Sequence, residues 1–266
     1  MKNNLKKMIA AVVVASMSLT FVACGSNKTT DSSKKAQTSS SEKKNYSKTL
    51  RLSTTANTSN FITLADGQGY FKNDGVPVKF ENIESPSEAL NAILLNKLDI
   101  NTIALIPTLN FIAQGTDFTI FGGYRSEGGE IITSKANSSN YKDITSLKGK
   151  KIAVIHLDTG DYNLRKLLRE KGIDPSKDIK YQEVDSYTSV VEAVKKGTVD
   201  YGIAISEIAR LAEQQGLSSV QKISDLVPDY VCCRQVALTS SIKENRQEYV
   251  DLLKSEIKGY KYMADC

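Results

Sequence analysis

Residues 151–184 read KIAVIHLDTGDYNLRKLLREKGIDPSKDIKYQEV, and this stretch decides the fold class. Lys151 to Ile155 is a short apolar run suited to a buried strand, and Ile179 to Val184 is a second β-rich run. Between them a helix is expected over Asp161 to Lys171, where Leu164, Leu167 and Leu168 share one face because residues three and four apart stack on the same side. Asp161 is placed to cap that helix and Gly172 to end it. Strand, helix and strand in this order make a βαβ unit with parallel strands, and hence an α/β fold.

Downstream, Ser186 opens a helix to Lys196, a strand follows at Tyr201 to Ile205, and another helix at Ile208 to Gln215. Upstream, a second set has strands at Thr49 to Ser53, Val76 to Glu81, Ile100 to Ala104, Phe118 to Gly122 and Glu130 to Ser134. Its helices fall near Phe61 to Gly69, Ser87 to Leu95 and Thr108 to Gln114. The stretch Tyr141 to Gly149 separates the sets, so two lobes are expected: residues 49–140 plus 235–266, and residues 141–234. The sets echo each other locally. Ala89-Leu90 to Leu98-Asp99-Ile100 and Glu192-Ala193 to Val199-Asp200-Tyr201 both run helix, turn, Asp, buried strand, with Asn96 and Gly197 in the turns. Chance likeness between two αβ units and internal duplication both account for this. After Pro228 the run Tyr230 to Ser240 is β-like. Glu244 to Met263 is an amphipathic helix that reaches Cys266 without a cap, which points to a truncated chain or missing closing elements.

The 266 residues are 24% charged and 40% hydrophobic, which suits a globular unit rather than a fibrous, disordered or polytopic membrane protein. Lys2, Lys6 and Lys7 precede an uncharged apolar run from Met8 to Val22, the pattern of an export signal over residues 1–23. That run is short for a permanent membrane span, which needs about 20 residues. Residues 24–48 are almost wholly polar and read as a flexible tether. The formal charge of +5 resides there: up to Lys48 there are nine lysines and two acids, so the remainder carries −2. A folded part without a basic patch gives nucleic-acid binding no support. The four cysteines show no spaced pair of the zinc-site kind, and neither a metal nor a cofactor is expected.

Phe21-Val22-Ala23-Cys24 resembles a bacterial lipobox, with Phe21 in place of the usual Leu, and implies Cys24 as a lipid anchor. Ala65-Asp66-Gly67-Gln68-Gly69-Tyr70-Phe71-Lys72 followed by Gly75-Val76-Pro77-Val78 resembles the opening of type II periplasmic binding proteins of the nitrate/sulfonate/taurine group, which also holds thiamine-pyrimidine binders. The likeness continues through Asn96-Lys97-Leu98-Asp99-Ile100, Ala113-Gln114-Gly115-Thr116-Asp117, Asp143 to Ala153 and Lys171-Gly172-Ile173-Asp174-Pro175. It implies a two-lobed α/β fold with a mainly parallel sheet in each lobe, a crossing-strand hinge, and a ligand held where the lobes meet.

Candidate ligand residues sit where strands end and helices begin. The loop Thr54 to Ser59 is crowded with hydroxyl and amide groups, so Ser53, Thr55, Asn57 and Thr58 are candidates against the alternative of an ordinary capping loop. Thr108 follows Pro107 at a helix opening whose N–H groups would face the cleft. Tyr124, beside Gly122 and Gly123, can stack a planar ligand or serve as an ordinary tyrosine. In the loop His156-Leu157-Asp158-Thr159-Gly160-Asp161 the candidates are His156, Asp158 and Thr159. Asp158 would repel an oxyanion and suit a ligand with amino or ring-nitrogen donors. His156, the only histidine, is either a contact or a packed or exposed side chain without a task. Glu207 places a carboxylate at the cleft or acts as a first-turn acid. In the string Tyr230-Val231-Cys232-Cys233-Arg234-Gln235, Cys232 and Arg234 are candidates. The cysteines are buried apolar groups, a vicinal disulfide or thiolate ligands. Arg234 pairs with a ligand carboxylate, with Asp158 or with Glu207.

These readings favour a lipid-anchored, extracytoplasmic, monomeric substrate-binding component of an ABC importer. It would work with permease and ATPase subunits, capture a small nitrogenous or heteroaromatic metabolite, and have no catalytic residues. Two alternatives stand beside it. One is a thiamine-pyrimidine synthase-like enzyme, for which the family implies an iron-linked, cysteine-rich motif and a histidine. The other is a surface sensor or adhesin.

Overall fold

Strand β1 (Leu50–Thr54) leads to helices α1 (Phe61–Gly67) and α2 (Tyr70–Asp74), strand β2 (Val78–Asn82) and helices α3 (Pro86–Leu94) and α4 (Leu105–Ala113). Next come β3 (Phe118–Ser126), β4 (Gly129–Ser134), the short α5 (Lys135–Ser138), β5 (Lys151–Val154), α6 (Thr159–Glu170), β6 (Lys180–Glu183), α7 (Tyr187–Lys195) and β7 (Tyr201–Ile205). The chain ends with α8 (Ser206–Gln214), β8 (Leu217–Lys222), β9 (Val231–Leu238), α9 (Thr239–Glu244) and α10 (Arg246–Asp265). This computed structural model describes residues 46, 48–55, 60–102 and 105–266, so Cys24, Asn57 and Thr58 lie outside the described residues. Among those described, no helix is long and apolar enough to cross a membrane.

Two sheets share one plan. In the first, β2 and β1 are parallel, Leu52 bridges in parallel to Ile100, Asn101 bridges antiparallel to Val236 of β9, and β9 pairs antiparallel with β3. In the second the order is β6-β5-β7-β4-β8, with β5 parallel to β6 and β7, and β4 antiparallel to β7 and β8. Both sheets are therefore mixed, each with an antiparallel strand inserted from far along the sequence. The local echo has a matching physical basis. Asp99 Oδ2 accepts from the Arg51 backbone N–H at 2.9 Å, and Asp200 Oδ2 accepts from that of Lys151 at 2.8 Å. The turns before these aspartates rest on Asn96 and Gly197 at φ 53° and 67°, a region that glycine and asparagine enter at little cost.

Alternation along the second sheet sends side chains into two cores, as a sheet covered on both faces requires. Ile152, Val154, Tyr201 and Ile203 pack with Leu164 and Leu168 of α6, while Ala153 and Ile132 pack with Val190 and Val194 of α7 and with Ala209 and Ala212 of α8. In the first lobe Leu50 and Leu52 pack with Ile62, Ala65, Tyr249 and Leu252. Each fully buried aliphatic side chain contributes about 1.5–3 kcal/mol. Helices α1 and α10 meet at Gly259, where a Cβ would strike the Phe61 carbonyl and come within 2.7 Å of the Ala65 Cβ.

Several expectations change. Residues 129–134, assigned by sequence to the first lobe, pair with β7 and β8 in the second sheet, and a boundary at Gln235 would cut through β9. Of the strand expected at Ile100 to Ala104, Ile100 and Asn101 form bridges, Ile103 and Ala104 lie outside the described residues, and helix α4 begins at Leu105. Pro107 then lies in the first turn, where its missing N–H costs nothing. Asp158, not Asp161, caps α6, its Oδ2 accepting from the Gly160 N–H at 3.0 Å. Strand β8 follows Gly216 directly and had no legible signal, its polar LSSVQK run being half-buried beside β4.

Gln235 of β9 donates to Glu256 Oε2 of α10 at 2.6 Å, deep in the first lobe. Burial pushes the Glu256 carboxyl up to about 8, with the Gln235 hydrogen bond opposing it. In this window the folded state holds a proton that the unfolded chain has released, so stability falls as pH rises. Glu256→Gln should remove a loss of about 1.4 kcal/mol per pH unit between pH 4.5 and about 8, read as a flatter dependence of urea-unfolding free energy on pH. An unchanged slope would show that the carboxyl titrates as if exposed.

Candidate functional site

Strands β3 and β9 carry the chain between the sheets, and their pairing is irregular where they cross. Opposed pairs run Gly122 to Gln235, Gly123 to Arg234, Arg125 to Cys233 and Ser126 to Val231, so Tyr124 on one strand and Cys232 on the other lack a direct partner. Such bulges turn a side chain out of the regular alternation. The strand ends are fixed by Glu127 N–H donating to the Tyr230 carbonyl at 2.9 Å and by Gly129 N–H donating to Tyr230 Oη at 2.7 Å.

At this crossing lies a cavity lined by Thr55, Thr102, Tyr124, Arg125, Tyr187, Ile205 and Cys233. Thr55 directly follows β1 and Thr102 follows the bridging residues Ile100 and Asn101, Ile205 ends β7 of the five-stranded sheet, Tyr187 opens α7, and the other three lie on the crossing strands. Its volume is about 20 Å³, the room of about one water molecule, whereas metabolite sites occupy about 300–1,000 Å³. A second cavity of about 530 Å³ shares Tyr124 and Arg125, adds Ser126 and Arg234 of the crossing strands, and is lined further by first-lobe residues such as Phe61, Phe121, Leu253 and Tyr260.

Arg125 ties the crossing to the second lobe. Its Nη1 donates to Glu207 Oε2 at 2.6 Å, with side chains 16% and 29% exposed, and its guanidinium carbon lies 5.4 Å from the centre of the Tyr124 ring. Tyr124 is pushed up to about 12, chiefly by burial, and stays a neutral phenol.

Ser53 sits beneath the cavity as a brace. Its Oγ donates to Asn101 Oδ1 at 3.0 Å and accepts from Thr102 N–H at 2.9 Å, while Thr102 Oγ1 donates to the Ser53 carbonyl at 2.8 Å. Thr55 and Tyr124 line the cavity, and Cys232 adjoins it through Cys233. Thr108 is buried inside α4, not at a helix opening. Asp158 is buried, accepting from Gly160 N–H and, at 2.8 Å, from Tyr187 Oη; burial raises its carboxyl against those hydrogen bonds. Thr159 donates to the Cys232 carbonyl at 3.1 Å. His156 is exposed, its Nδ1 2.9 Å from Glu183 Oε1. Arg234 Nη1 donates to the carbonyls of Arg125 and Cys233, so the partner of Glu207 is Arg125 and neither carboxylate expected for Arg234 is its partner. The cysteines are free thiols, both buried. Sequence reasoning missed Thr102, Arg125, Tyr187 and Ile205, and chose Cys232 where its neighbour Cys233 lines the cavity. Arg125 and Tyr187 do directly follow features that it singled out, the Gly122-Gly123-Tyr124 string and the Ser186 cap.

The iron-linked motif implied by the enzyme branch finds no matching ligand set. His156 faces solvent beside Glu183 while the thiols are buried, and no group of three or more His, Cys, Asp or Glu able to hold a metal occurs among the described residues.

A sheet order with one long-range antiparallel strand per lobe, a cavity at the crossing, and a family match over residues 57–265, described as NMT1/THI5 like, agree. The chain belongs to the NMT1/THI5-like family. Curated relatives of this NMT1/THI5-like chain are named 4-amino-5-hydroxymethyl-2-methylpyrimidine phosphate synthase. The protein from Candida albicans is 26% identical over 76% of this chain and 62% of its own length, and that from Schizosaccharomyces pombe is 30% identical over 65% and 51%. The chain thus spans about half to three-fifths of these relatives. Their names, which are those of a synthase, overturn the expectation from the sequence that the protein is not an enzyme. Among solved structures the fold resembles the periplasmic aliphatic sulphonate binding protein SsuA from Escherichia coli, with TM-score 0.64, 19% identity, and 79% of this chain and 72% of that one covered. It also resembles the periplasmic nitrate-binding protein NrtA from Synechocystis PCC 6803, with TM-score 0.67, 17% identity, and 80% and 61% covered. These show a two-lobed type II binding-protein fold for the NMT1/THI5-like chain.

The Arg125–Glu207 pair is the expected energetic link across the crossing. Removing Glu207 leaves a largely buried guanidinium without its carboxylate, so Glu207→Gln should cost about 1–3 kcal/mol in urea unfolding. In a double-mutant cycle with Arg125→Met the coupling should exceed about 0.5 kcal/mol, and additivity within that margin would show that the contact contributes nothing.

Proposed function

We propose that the cavity at the crossing strands is a ligand cleft, that the lobes part and close around it, and that its ligand is a neutral, planar nitrogen heterocycle of the aminopyrimidine class. The observation that carries this reading is the state of Arg125. It is the basic group lining the cavity, and Glu207 already neutralises it at 2.6 Å. Arg125 therefore offers an oxyanion little uncompensated charge, while the hydroxyls of Thr55, Thr102 and Tyr187 and the Tyr124 ring suit polar edges and a flat face. Asp158, whose carboxylate was expected from the sequence to favour a nitrogenous ligand, is committed to the α6 cap and to Tyr187. Charge compensation at Arg125 takes its place. A cavity of about 20 Å³ admits such a ring only if the lobes separate, which the two crossing strands permit as a hinge.

In this reading the protein is exported through residues 1–23, anchored by a lipid on Cys24, held off the membrane by residues 24–48, and acts as a monomer that delivers its ligand to a permease and its ATPase. The importer neighbours in fold support it. A second reading is favoured by the names of the curated relatives: the same cleft forms a pyrimidine phosphate.

Thermal unfolding with 4-amino-5-hydroxymethyl-2-methylpyrimidine, its phosphate, ethanesulfonate and nitrate tests the ligand class. A bound pyrimidine at 100 times its dissociation constant should stabilise by about 2.7 kcal/mol. Stabilisation by sulfonate or nitrate alone would refute the proposal. Mass spectrometry after incubation of the chain with a cell extract freed of pyrimidines, which supplies phosphorylated precursors, separates the readings: new pyrimidine phosphate supports synthesis, and none supports capture.

A further inference from the structure

Neighbouring side chains on a strand point to opposite faces, yet Cys232 and Cys233 are both buried with their Sγ atoms 3.2 Å apart. The cause is the register slip of β9 against β3 at Arg125 and Ser126, which leaves Cys232 in a bulge. The backbone on both sides is held: Thr159 Oγ1 donates to the Cys232 carbonyl, and Arg234 Nη1 donates to that of Cys233 at 2.7 Å. Cys233 also lines the cavity, beside Tyr124 and Arg125.

We propose that Cys232 and Cys233 are a redox-active vicinal dithiol, closed to a disulfide by exchange with a disulfide-bearing oxidant and remodelling the cavity wall when it closes. A disulfide places its sulfurs about 2.05 Å apart, so the pair needs to approach by about 1.2 Å. The Cys233 thiolate attacks one sulfur of the oxidant, breaking its S–S bond and releasing one thiolate. Cys232 then gives up its proton and attacks the Cys233 sulfur of the mixed disulfide, expelling the second thiolate. The protein loses two protons and two electrons, and the oxidant leaves as two thiols. Cys233 acts first because it faces the cavity. The hydrogen bond to Cys233 and burial raise the Cys232 thiol, which fits the later, resolving role. The inference rests on the proposed parting of the lobes, which admits the oxidant to Cys233, and not on whether the cleft captures or converts its ligand.

The test uses the full chain with Cys24→Ser and Cys266→Ser, so that the vicinal pair alone can react. After equilibration with oxidised glutathione under native conditions, its mass should fall by two hydrogen atoms. Iodoacetamide added on denaturation should then modify neither thiol, against both in the reduced chain. Phenylarsine oxide, which bridges neighbouring thiols, should bind one per reduced chain and none after oxidation, a readout that needs no change at the pair. Cys232→Ser in this background should stop at a glutathione adduct. A native chain that keeps both thiols alkylatable after equilibration, or accumulates the adduct with the pair intact, overturns the proposal.

Discussion

The chain passes between its two sheets through one antiparallel pair, β3 and β9, and the architecture of the cavity follows from how that pair is held. β9 completes the first sheet by bridging to Asn101, while the turn after β3 delivers β4 into the middle of the second. Neither lobe has its full sheet without a segment from beyond its own run of sequence. The crossing therefore cannot be a loose linker, and its hydrogen bonds must be met despite the change of direction. The slips in register meet that need. They release Tyr124 and Cys232 from the ladder and leave Arg125 directed at Glu207.

Charge at this crossing is compensated rather than displayed. Arg125 is bound to Glu207, Asp158 is held by Tyr187 and a helix N-terminus, and Arg234 faces backbone carbonyls. Buried charges without such partners would cost several kcal/mol each. Each of these charged groups is thus met by a partner within the chain.

Much of the fold was legible because it rests on local periodicity. The βαβ unit at Lys151 to Val184, the Ser186 cap and the Asp99 and Asp200 turns all follow from neighbours in sequence. The site was legible only in part, because it rests on partners far apart: Arg125 meets Glu207, and Tyr187 meets Asp158, through pairings that no pattern along the chain announces. Bulges are equally silent, since they interrupt the alternation that reveals a strand. Asp158 illustrates the limit. Its loop position was correctly read as the end of a strand and the start of a helix, but whether its carboxylate faces a ligand or caps the helix depends on a tyrosine 29 positions away.

Everything proposed for the cleft requires a ligand held between the lobes at the crossing. A crystal structure of the chain with 4-amino-5-hydroxymethyl-2-methylpyrimidine tests this most directly. The account predicts ring density against Tyr124, in contact with Thr102 from one lobe and Tyr187 from the other, in a cavity enlarged well beyond about 20 Å³. Density confined to the first-lobe cavity beside Phe61 and Tyr260, or none at saturating ligand, would contradict it.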